Sequence, residues 1–485
     1  MSAAPATSVP VGVPANLDRA RAASAHGAAL PAATPAFTVR DACENPRLLA
    51  GYQRLRRRAF VEQQGLFAGH DIDEHDAAPA TVVLVAVDPA GQVVGGVRLH
   101  ARTEHPGLGW WNGSRLVCNA QLGIRRGEVG AALVRSACAV ALERGVLRFD
   151  ARVQARHERF FEKLGWERTG ATQIAGQPHV AMRWPIPRFA QLVDRTKQPL
   201  GGLLDDLLPR DRWRGDDGAP VAGTDVVACT DAILPSMVEH DPEWAGWCAM
   251  LVNAHDLAAM GAAPVASLDA LGAPDAAHAE RVLGGLRRGA SVFDLPIVGG
   301  HTQLGVAASL SVTALGRTSD PIPAGGGASG MQLTITADVD GTWRPGYEGL
   351  QWDSTSWRTR DELRPMFGAV RKARPSAAKD VSMAGIVGTT AMLAEASGCS
   401  AELDVASIPK PASAAIGDWL TCFPGFAMVT TGGPLRAGAA VSTACGRLGE
   451  GEGVRLRWPD GAITTALGAG ATGLGPATTH EELPT

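Results

Sequence analysis

The pattern of apolar and polar positions in the first third of the chain predicts a mixture of strands and helices. Residues 81–102, TVVLVAVDPAGQVVGGVRLHAR, form two runs rich in β-branched residues on either side of a turn that contains Asp88, Pro89 and Gly91. Such a pattern predicts an antiparallel hairpin. In residues 125–145 the apolar positions recur with helical spacing instead, and Gly145 is placed to end the helix. A strand over residues 147–153 follows.

The second part of the chain has its own strands and helices. The apolar run Val226–Cys229 predicts a short strand that ends at Asp231. Residues 245–261, AGWCAMLVNAHDLAAMG, predict a helix closed by Gly261. Proline- and charge-rich residues between these parts predict a linker. The pattern therefore predicts a multidomain protein of the α/β and α+β classes. Its parts are a disordered tail (1–36), a first domain (37–186), a linker (187–200) and a second region in two parts (201–320 and 325–475).

Composition excludes several functional classes. The chain has 485 residues and a formal net charge of -4. That balance gives no overall basic surface for nucleic acid or an anionic membrane. No apolar run reaches the roughly 20 residues that a membrane span needs. The eight cysteines show no metal-ligand spacing. We therefore expect a cytoplasmic protein with no nucleic-acid or membrane partner.

The order of elements in the first domain resembles the GNAT acyltransferase superfamily. The resemblance rests on RRGEVGAALVRSACAVALERG (125–145) and HERFFEKLGWERTG (157–170). It implies a mixed sheet with helices that binds acetyl-CoA or another acyl-CoA. The residues implied to hold the cofactor are Arg125, Arg126, Gly130 and Ala131. A helix start behind two arginines suits this role, because free backbone N–H groups and positive charge attract a pyrophosphate.

Two positions depart from that pattern. Glu128 stands where the loop of the superfamily has its middle glycine, and Phe161 stands where a tyrosine commonly protonates the leaving thiolate. The usual general acid is therefore missing. His100 and His105 lie on or just after the hairpin. Each is either a base that could reach an amine substrate or an ordinary histidine without a catalytic role.

Five aspartates in the second region are candidate metal ligands. Two of them, Asp216 and Asp217, are adjacent between glycines, an arrangement that is common in a solvated turn. Further carboxylates that converge on one divalent cation would give the pair a second role. The full candidate set is Asp216, Asp217, Asp231, Asp256 and Asp380.

The order of motifs around these aspartates resembles the aminoimidazole ribonucleotide synthetase superfamily, which includes thiamine-monophosphate kinase. The motifs are GDD (215–217), VNAHDLAAMGAAP (252–264), VGGHTQ (298–303) and KDVSMAGIVGTT (379–390). The resemblance implies a two-part α+β region that binds ATP with Mg²⁺ through the aspartates and associates as a homodimer. It also implies cofactor contacts at Asn253, Gly299, Gly300 and Thr302.

Here too the chain departs from the motifs. His301 replaces an acidic residue, Met383 replaces a second aspartate and His255 replaces a small residue. These changes predict either weaker binding of Mg²⁺ or an acceptor other than thiamine monophosphate.

Two functions are compatible with the sequence. One is a bifunctional metabolic enzyme, in which a GNAT-like N-acyltransferase domain is fused to an ATP- and Mg²⁺-dependent synthetase or kinase-like region. The other is a nucleotide or acyl-CoA sensor in which one or both halves bind without turnover. Production of ADP distinguishes the two functions.

Overall fold

The computed structural model of the chain describes residues 36–119, 126–423 and 425–477. The tail expected over residues 1–36 lies outside this part, except for Ala36. Among the described residues, no helix combines the length and the apolar character needed to cross a membrane.

The first domain is built on a seven-stranded mixed sheet. Its strands follow the order β1-β2-β3-β4-β5-β7-β6. All neighbouring strands are antiparallel except β4 and β5. The strands are β1 (Thr38–Asp41), β2 (Val82–Val87), β3 (Val93–Ala101), β4 (Trp110–Cys118), β5 (Arg148–Gln154), β6 (Glu167–Ile174) and β7 (Gln177–Trp184), and the helices are α1 (Pro46–Arg56), α2 (Arg126–Glu143) and α3 (Glu158–Glu162).

The local predictions for this domain are confirmed. The hairpin is β2 with β3, the helix is α2 and the following strand is β5. Gly145, just after α2, has a φ of 67°. Only glycine adopts this conformation without a steric penalty, so the residue ends the helix as expected.

The segment expected to be a simple linker is largely helical. It contains α4 (Arg188–Thr196), and α5 (Leu200–Leu204) follows. Phe189 and Val193 of α4 are buried in an apolar cluster with a sheet whose strands lie within residues 332–467, which is called the third sheet below. The sequence predicted a linker here because prolines and charged residues flank the helix, and its apolar residues gain their packing partners only in the tertiary structure.

The second region contains two further sheets. One has the strand order β11-β10-β12-β9-β8 and the other has the order β16-β18-β13-β19-β17-β20-β21. The elements of the first are β8 (Ala219–Pro220), β9 (Val226–Ala232), α6 (Pro235–His240), α7 (Pro242–Ala259), β10 (Ala263–Ala273), α8 (Ala276–Val292), β11 (Ile297–Leu304) and β12 (Ser309–Arg317).

The remaining elements belong to the other sheet and to a two-stranded ribbon formed by β14 and β15. They are β13 (Gln332–Ala337), β14 (Thr342–Trp343), β15 (Trp352–Asp353), α9 (Arg360–Phe367), α10 (Ala369–Ala373), β16 (Ala378–Asp380), α11 (Gly385–Ala396), β17 (Ser400–Asp404), α12 (Ile416–Trp419), β18 (Ala427–Thr431), β19 (Val441–Gly449), β20 (Val454–Arg457) and β21 (Ile463–Leu467).

Helix α7 is the central helix of the second region. It crosses α8 very closely, since a Cβ on Gly246 would lie 2.1 Å from the carbonyl oxygen of Val282. All of its residues are buried except Glu243 and Asp256. A helix that is apolar on all sides belongs in a core. Asp256 is thus one of the two positions at which this helix is not fully enclosed by the core.

The first domain packs directly on the third sheet. Trp110 and Leu147 belong to the same apolar cluster as the strands of that sheet. Arg148 of β5 donates two hydrogen bonds of 2.8 Å to the carboxylate of Asp460. Its guanidinium also lies 3.7 Å from the centre of the Trp110 ring. The contact combines apolar burial with a bidentate ion pair.

Candidate functional site

Three carboxylates converge between the two sheets of the second region. Oxygens of Asp217, Asp256 and Asp380 lie within 4.8 Å of one another. Asp217 precedes β8, Asp256 lies on α7 and Asp380 ends β16. Both parts of the second region therefore contribute ligands to one cluster.

A buried lysine positions this cluster. Lys379 forms an ion pair with Asp217, and both side chains are less than 10 % exposed. Its ammonium also donates to the carbonyl of Gly215 at 3.0 Å, and the backbone N–H of Asp380 donates to Asp217 at 3.0 Å. Burial opposes the charge of Lys379, but the surrounding aspartates outweigh it and raise the pKa of the lysine.

The other two candidate aspartates adjoin the cluster. Asp231 lies at the end of β9 and is hydrogen-bonded to Asp256. Asp216 accepts a bond from the backbone N–H of Ala324 at 2.9 Å through Oδ1. Its other oxygen, Oδ2, is buried and has no hydrogen-bond partner among the described residues. The structure therefore brings three of the five aspartates chosen from the sequence within ligand distance of one another, with Asp216 and Asp231 beside them.

The electrostatics of the cluster are those of a cation site. Burial, followed by the neighbouring carboxylates, raises the pKa values of Asp256 and Asp380 well above the ordinary value. Burial raises the pKa of Asp216 to about 7. A divalent cation would offset the free energy that is needed to keep these buried carboxylates charged. Carboxylate oxygens are the ligands that Mg²⁺ prefers. The donor set of Asp217, Asp256 and Asp380 fits Mg²⁺.

Two lysines of the site escaped the sequence analysis. Lys379 directly precedes the candidate ligand Asp380, and this adjacency is the sequence feature that could have pointed to it. Lys197 follows α4, in the segment taken as a linker, and its charge interacts with Lys379, Asp380, Asp217 and Asp231. Burial, followed by the charge of Lys379, lowers its pKa. No sequence motif pointed to Lys197, because only the path of the connecting segment brings it here.

The cofactor residues suggested for the second region do not gather at this cluster within one chain. Gly299, Gly300 and Thr302 lie on β11, which is separated from β9 by β10 and β12. At Gly300 a Cβ would lie 2.4 Å from Oδ1 of Asp269, so this glycine makes room for a side chain of the same sheet.

Asn253 is placed differently from the expectation. It is fully buried, its amide donates to the carbonyl of Ala249 at 2.9 Å and its oxygen faces the thiol of Cys229 at 3.5 Å. A cofactor cannot reach Asn253 in this arrangement. The tertiary packing of α7 directs this asparagine into the core.

The first domain contains a cavity of about 890 Å³. It lies where β4 and β5 separate, since the two strands pair only over residues 110–113 and 148–151. Beyond that point β4 contains a bulge in which Arg115 has a φ of 54°. Ser114, Arg115 and Val117 of β4 line the opening, as do Arg152 and Gln154 of β5.

The suggested pyrophosphate loop is described only in part. Arg125 lies outside the described residues, and only the helical backbone of Arg126 is described. Helix α2 begins at Arg126, so Gly130 and Ala131 lie inside the helix rather than at its start. Gly130 lines the cavity, where a Cβ would lie 3.2 Å from the ring of Phe160. Its lack of a side chain therefore allows close packing beside the cavity.

Two histidines form a stacked pair in the wall of this cavity. The rings of His75 and His100 are 3.7 Å apart at an angle of 18°. His100 is 6 % exposed. Burial, followed by the charges of His75 and Arg98, lowers the pKa of His100 to about 4, although the carbonyl of Ala101 and the carboxylate of Asp73 act in the opposite direction.

The lowered pKa of His100 predicts a stability change with pH. The unfolded chain takes up this proton below a pH of about 6.5, whereas the folded chain does so only near pH 4, so folding loses stability as the pH falls between these values. At pH 5 the loss is about 2 kcal/mol. Urea denaturation should show that His100→Gln loses less stability between pH 7 and pH 5 than the unchanged protein. Equal losses would contradict the prediction.

Comparison with known proteins identifies the second region. The AIR synthase related protein N-terminal domain matches residues 215–318, and the corresponding C-terminal domain matches residues 330–444. An uncharacterized protein of Synechocystis sp. is 33 % identical over 219 residues, which cover 44 % of this chain and 68 % of that protein. The chain belongs to the AIR synthase related family.

A protein named as a thiamine-monophosphate kinase and a solved structure also match parts of the chain. A thiamine-monophosphate kinase of Synechococcus elongatus is 35 % identical over 135 residues, which are 26 % of this chain and 41 % of the kinase. A solved structure described as AaThiL complexed with AMPPCP and TMP is 23 % identical, covers 51 % of this chain and 88 % of its own, and has a TM-score of 0.41.

Proposed function

We propose that the AIR synthase related region binds ATP with Mg²⁺ at the carboxylate cluster and phosphorylates or otherwise activates an oxygen of a small metabolite. The observation that carries this proposal is the convergence of Asp217, Asp256 and Asp380, which come from both parts of the region, beside the buried Lys379. The match to thiamine-monophosphate kinases supports the same chemistry.

The residues of the cluster have separate tasks in this proposal. Asp217, Asp256 and Asp380 would hold Mg²⁺, which would supply positive charge to the phosphate groups. Lys379 fixes Asp217, and the N–H of Asp380 holds the other oxygen of the same carboxylate. Lys197 brings a second ammonium group to the cluster, where it can bind phosphate oxygens.

Calorimetric titration of ATP into the full chain tests this function. Binding that requires Mg²⁺, together with ADP production when candidate metabolites are added, supports an enzyme. Binding without ADP production from any metabolite supports a nucleotide sensor, and no binding in the presence of Mg²⁺ refutes both the ATP-dependent enzyme and the nucleotide sensor.

For the first domain we propose binding of acetyl-CoA or another acyl-CoA and transfer of its acyl group to an amine. The strand order, the separation of β4 from β5 and the cavity between them support this proposal, as do Gly127 and Gly130 of α2 in the cavity lining. Phe161 is buried and has no proton to give, so the leaving thiolate takes its proton from another group or from water. Titration of CoA and acetyl-CoA into the full chain tests binding, and no heat at millimolar ligand refutes it.

We further propose that the second region forms a homodimer through β11. Seven of the eight residues of this edge strand are exposed, on both faces, and within the described residues it pairs only with β10. Its side chains include Val298, which is 66 % exposed, and Leu304, which is 52 % exposed. An exposed apolar edge strand pairs readily with another chain.

The dimer gives a direct prediction. Val298→Arg should convert a dimer into a monomer in sedimentation velocity, because a charge would be buried in the new interface. Leu350→Arg is the matched control, since Leu350 is also 66 % exposed but lies far along the chain from β11. A dimer that survives Val298→Arg, or a protein that is monomeric without any substitution, would exclude this interface.

A further inference from the structure

The cavity of the first domain has two chemically different sides. One side is formed by Gly127 and Gly130 of α2 with Phe160 and Phe161. This is the side on which the proposed acyl-CoA would enter. The other side is formed by strand β3 and by the segment that follows α1, and its residues include Phe60, Leu66, Phe67, His75, Arg98 and His100.

The second side has an apolar wall and an uncharged basic group. Phe60 is buried, and Leu66 and Phe67 pack in the same apolar cluster. His100 Nδ1 lies 3.3 Å from the carbonyl of Ala101. A carbonyl only accepts, so Nδ1 carries the proton and Nε2 keeps its lone pair. His75 stacks on this ring, and its side chain is 20 % exposed.

The other ionisable groups on this side are already engaged. The carboxylate of Asp73 accepts from Arg98 at 2.6 Å and from Arg115 at 3.0 Å. Arg98 also lies 2.8 Å from Asp76, and Glu74 lies 3.7 Å from His75. Arg102 is paired with Glu104 at 3.2 Å. The stacked histidines are therefore the groups best suited to accept a proton here.

From this arrangement we propose that the His75–His100 pair takes the proton from a small primary amine while the amine is acylated. This inference rests on the proposed acyl-CoA-dependent function. The amine nitrogen forms a bond to the thioester carbonyl carbon, the C–S bond breaks and CoA leaves as the thiolate. The N–H proton passes to an imidazole nitrogen of the pair, and the thiolate takes a proton from water. The products are an amide and CoA.

The surroundings favour a small amine with an apolar body. Phe60, Leu66 and Phe67 offer aliphatic and aromatic surface to its carbon skeleton. Gln154 at the end of β5 donates to Gln64 at 2.7 Å, and both residues line the cavity. This bond joins opposite walls, so it narrows the access that an extended peptide would need. The more exposed His75 provides a path for the proton from the buried His100 to solvent.

The experiment uses the full chain, acetyl-CoA as the donor and 2-phenylethylamine as the amine probe, with ethanolamine as a polar comparison. Release of CoA thiol measures turnover, and calorimetry measures acetyl-CoA affinity. We expect His100→Gln and His75→Gln each to lower the amine-dependent rate by about 100-fold, the loss typical of a general base. Acetyl-CoA affinity should stay within threefold, and 2-phenylethylamine should react faster than ethanolamine.

His179→Gln is the matched control. His179 also lines the cavity, is 6 % exposed like His100 and places Nδ1 2.9 Å from a carbonyl, that of Gln177. It lies on β7, paired with Gln154 at the opposite side of the gap. Its substitution should change the rate by less than threefold. Added imidazole should restore part of the rate of His75→Ala, a rescue that a purely structural role would not give.

The outcomes separate the two proposals. If acetyl-CoA does not bind the unchanged protein, the proposed acyl transfer fails and this inference fails with it. If acetyl-CoA binds but neither amine is acylated, the amine acceptor is wrong. If acylation proceeds at the same rate in His100→Gln and His75→Gln, or is lost only in His179→Gln, the histidine pair is not the proton acceptor.

Discussion

Asp256→Asn is expected to weaken Mg²⁺-dependent ATP binding by one to two orders of magnitude while making the ligand-free protein more stable. Binding becomes weaker because one charged ligand contributes about 1.5 to 3 kcal/mol to the free energy of binding. The ligand-free protein gains stability because burial, followed by the charges of Asp231, Asp380 and Asp217, raises the pKa of Asp256. A carboxyl with a raised pKa in the folded state lowers stability above its ordinary pKa, and asparagine removes that penalty.

Two measurements check this result. Calorimetry with ATP and Mg²⁺ gives the affinity, and thermal unfolding without Mg²⁺ gives the stability. Asp225→Asn is the control, because Asp225 directly precedes β9, is 54 % exposed and should alter neither property. Unchanged affinity would remove Asp256 from the metal site. A lower melting temperature in the ligand-free protein would mean that repulsion does not dominate the cluster.

Arg148→Met should destabilise the contact between the first domain and the third sheet by about 1.5 to 3 kcal/mol, the range for a lost hydrogen bond to a charged group. The side chain of Arg148 is only 5 % exposed and pairs with Asp460 and Asp150. Its loss leaves both carboxylates without this partner, although Arg183 still binds Asp150 at 2.7 Å. The apolar contact of Trp110 with Trp458 would remain.

Calorimetric unfolding measures this effect. We expect the first domain to unfold at a lower temperature in Arg148→Met, separately from the rest of the chain. Arg135→Met on the exposed face of α2 is the control and should leave the unfolding profile unchanged. Coincident unfolding in both variants would show that apolar packing alone joins the domains.

Local structure was predictable wherever neighbouring residues determine it. The hairpin β2–β3 follows from alternating β-branched residues around a turn, and α2 follows from helical spacing that ends at Gly145. Helix α4 was missed because Phe189 and Val193 find their packing partners about 200 residues further along the chain.

The metal ligands and their surroundings were predictable to different degrees. The five aspartates were recognised because residue type and motif order limit which side chains can hold a hard cation. Lys197 and the stacking of His75 on His100 were not, because each depends on which segments lie side by side.

The sequence by itself determined the types of element, the family of the second region and the carboxylates of its candidate site, since these depend on local spacing and residue chemistry. Only the tertiary structure decided that Asn253 points into the core, that β11 remains an open edge and that β4 and β5 separate around a cavity. The physical reason is that burial, pKa and strand pairing depend on packing between distant segments, which the spacing of residues along the chain does not specify.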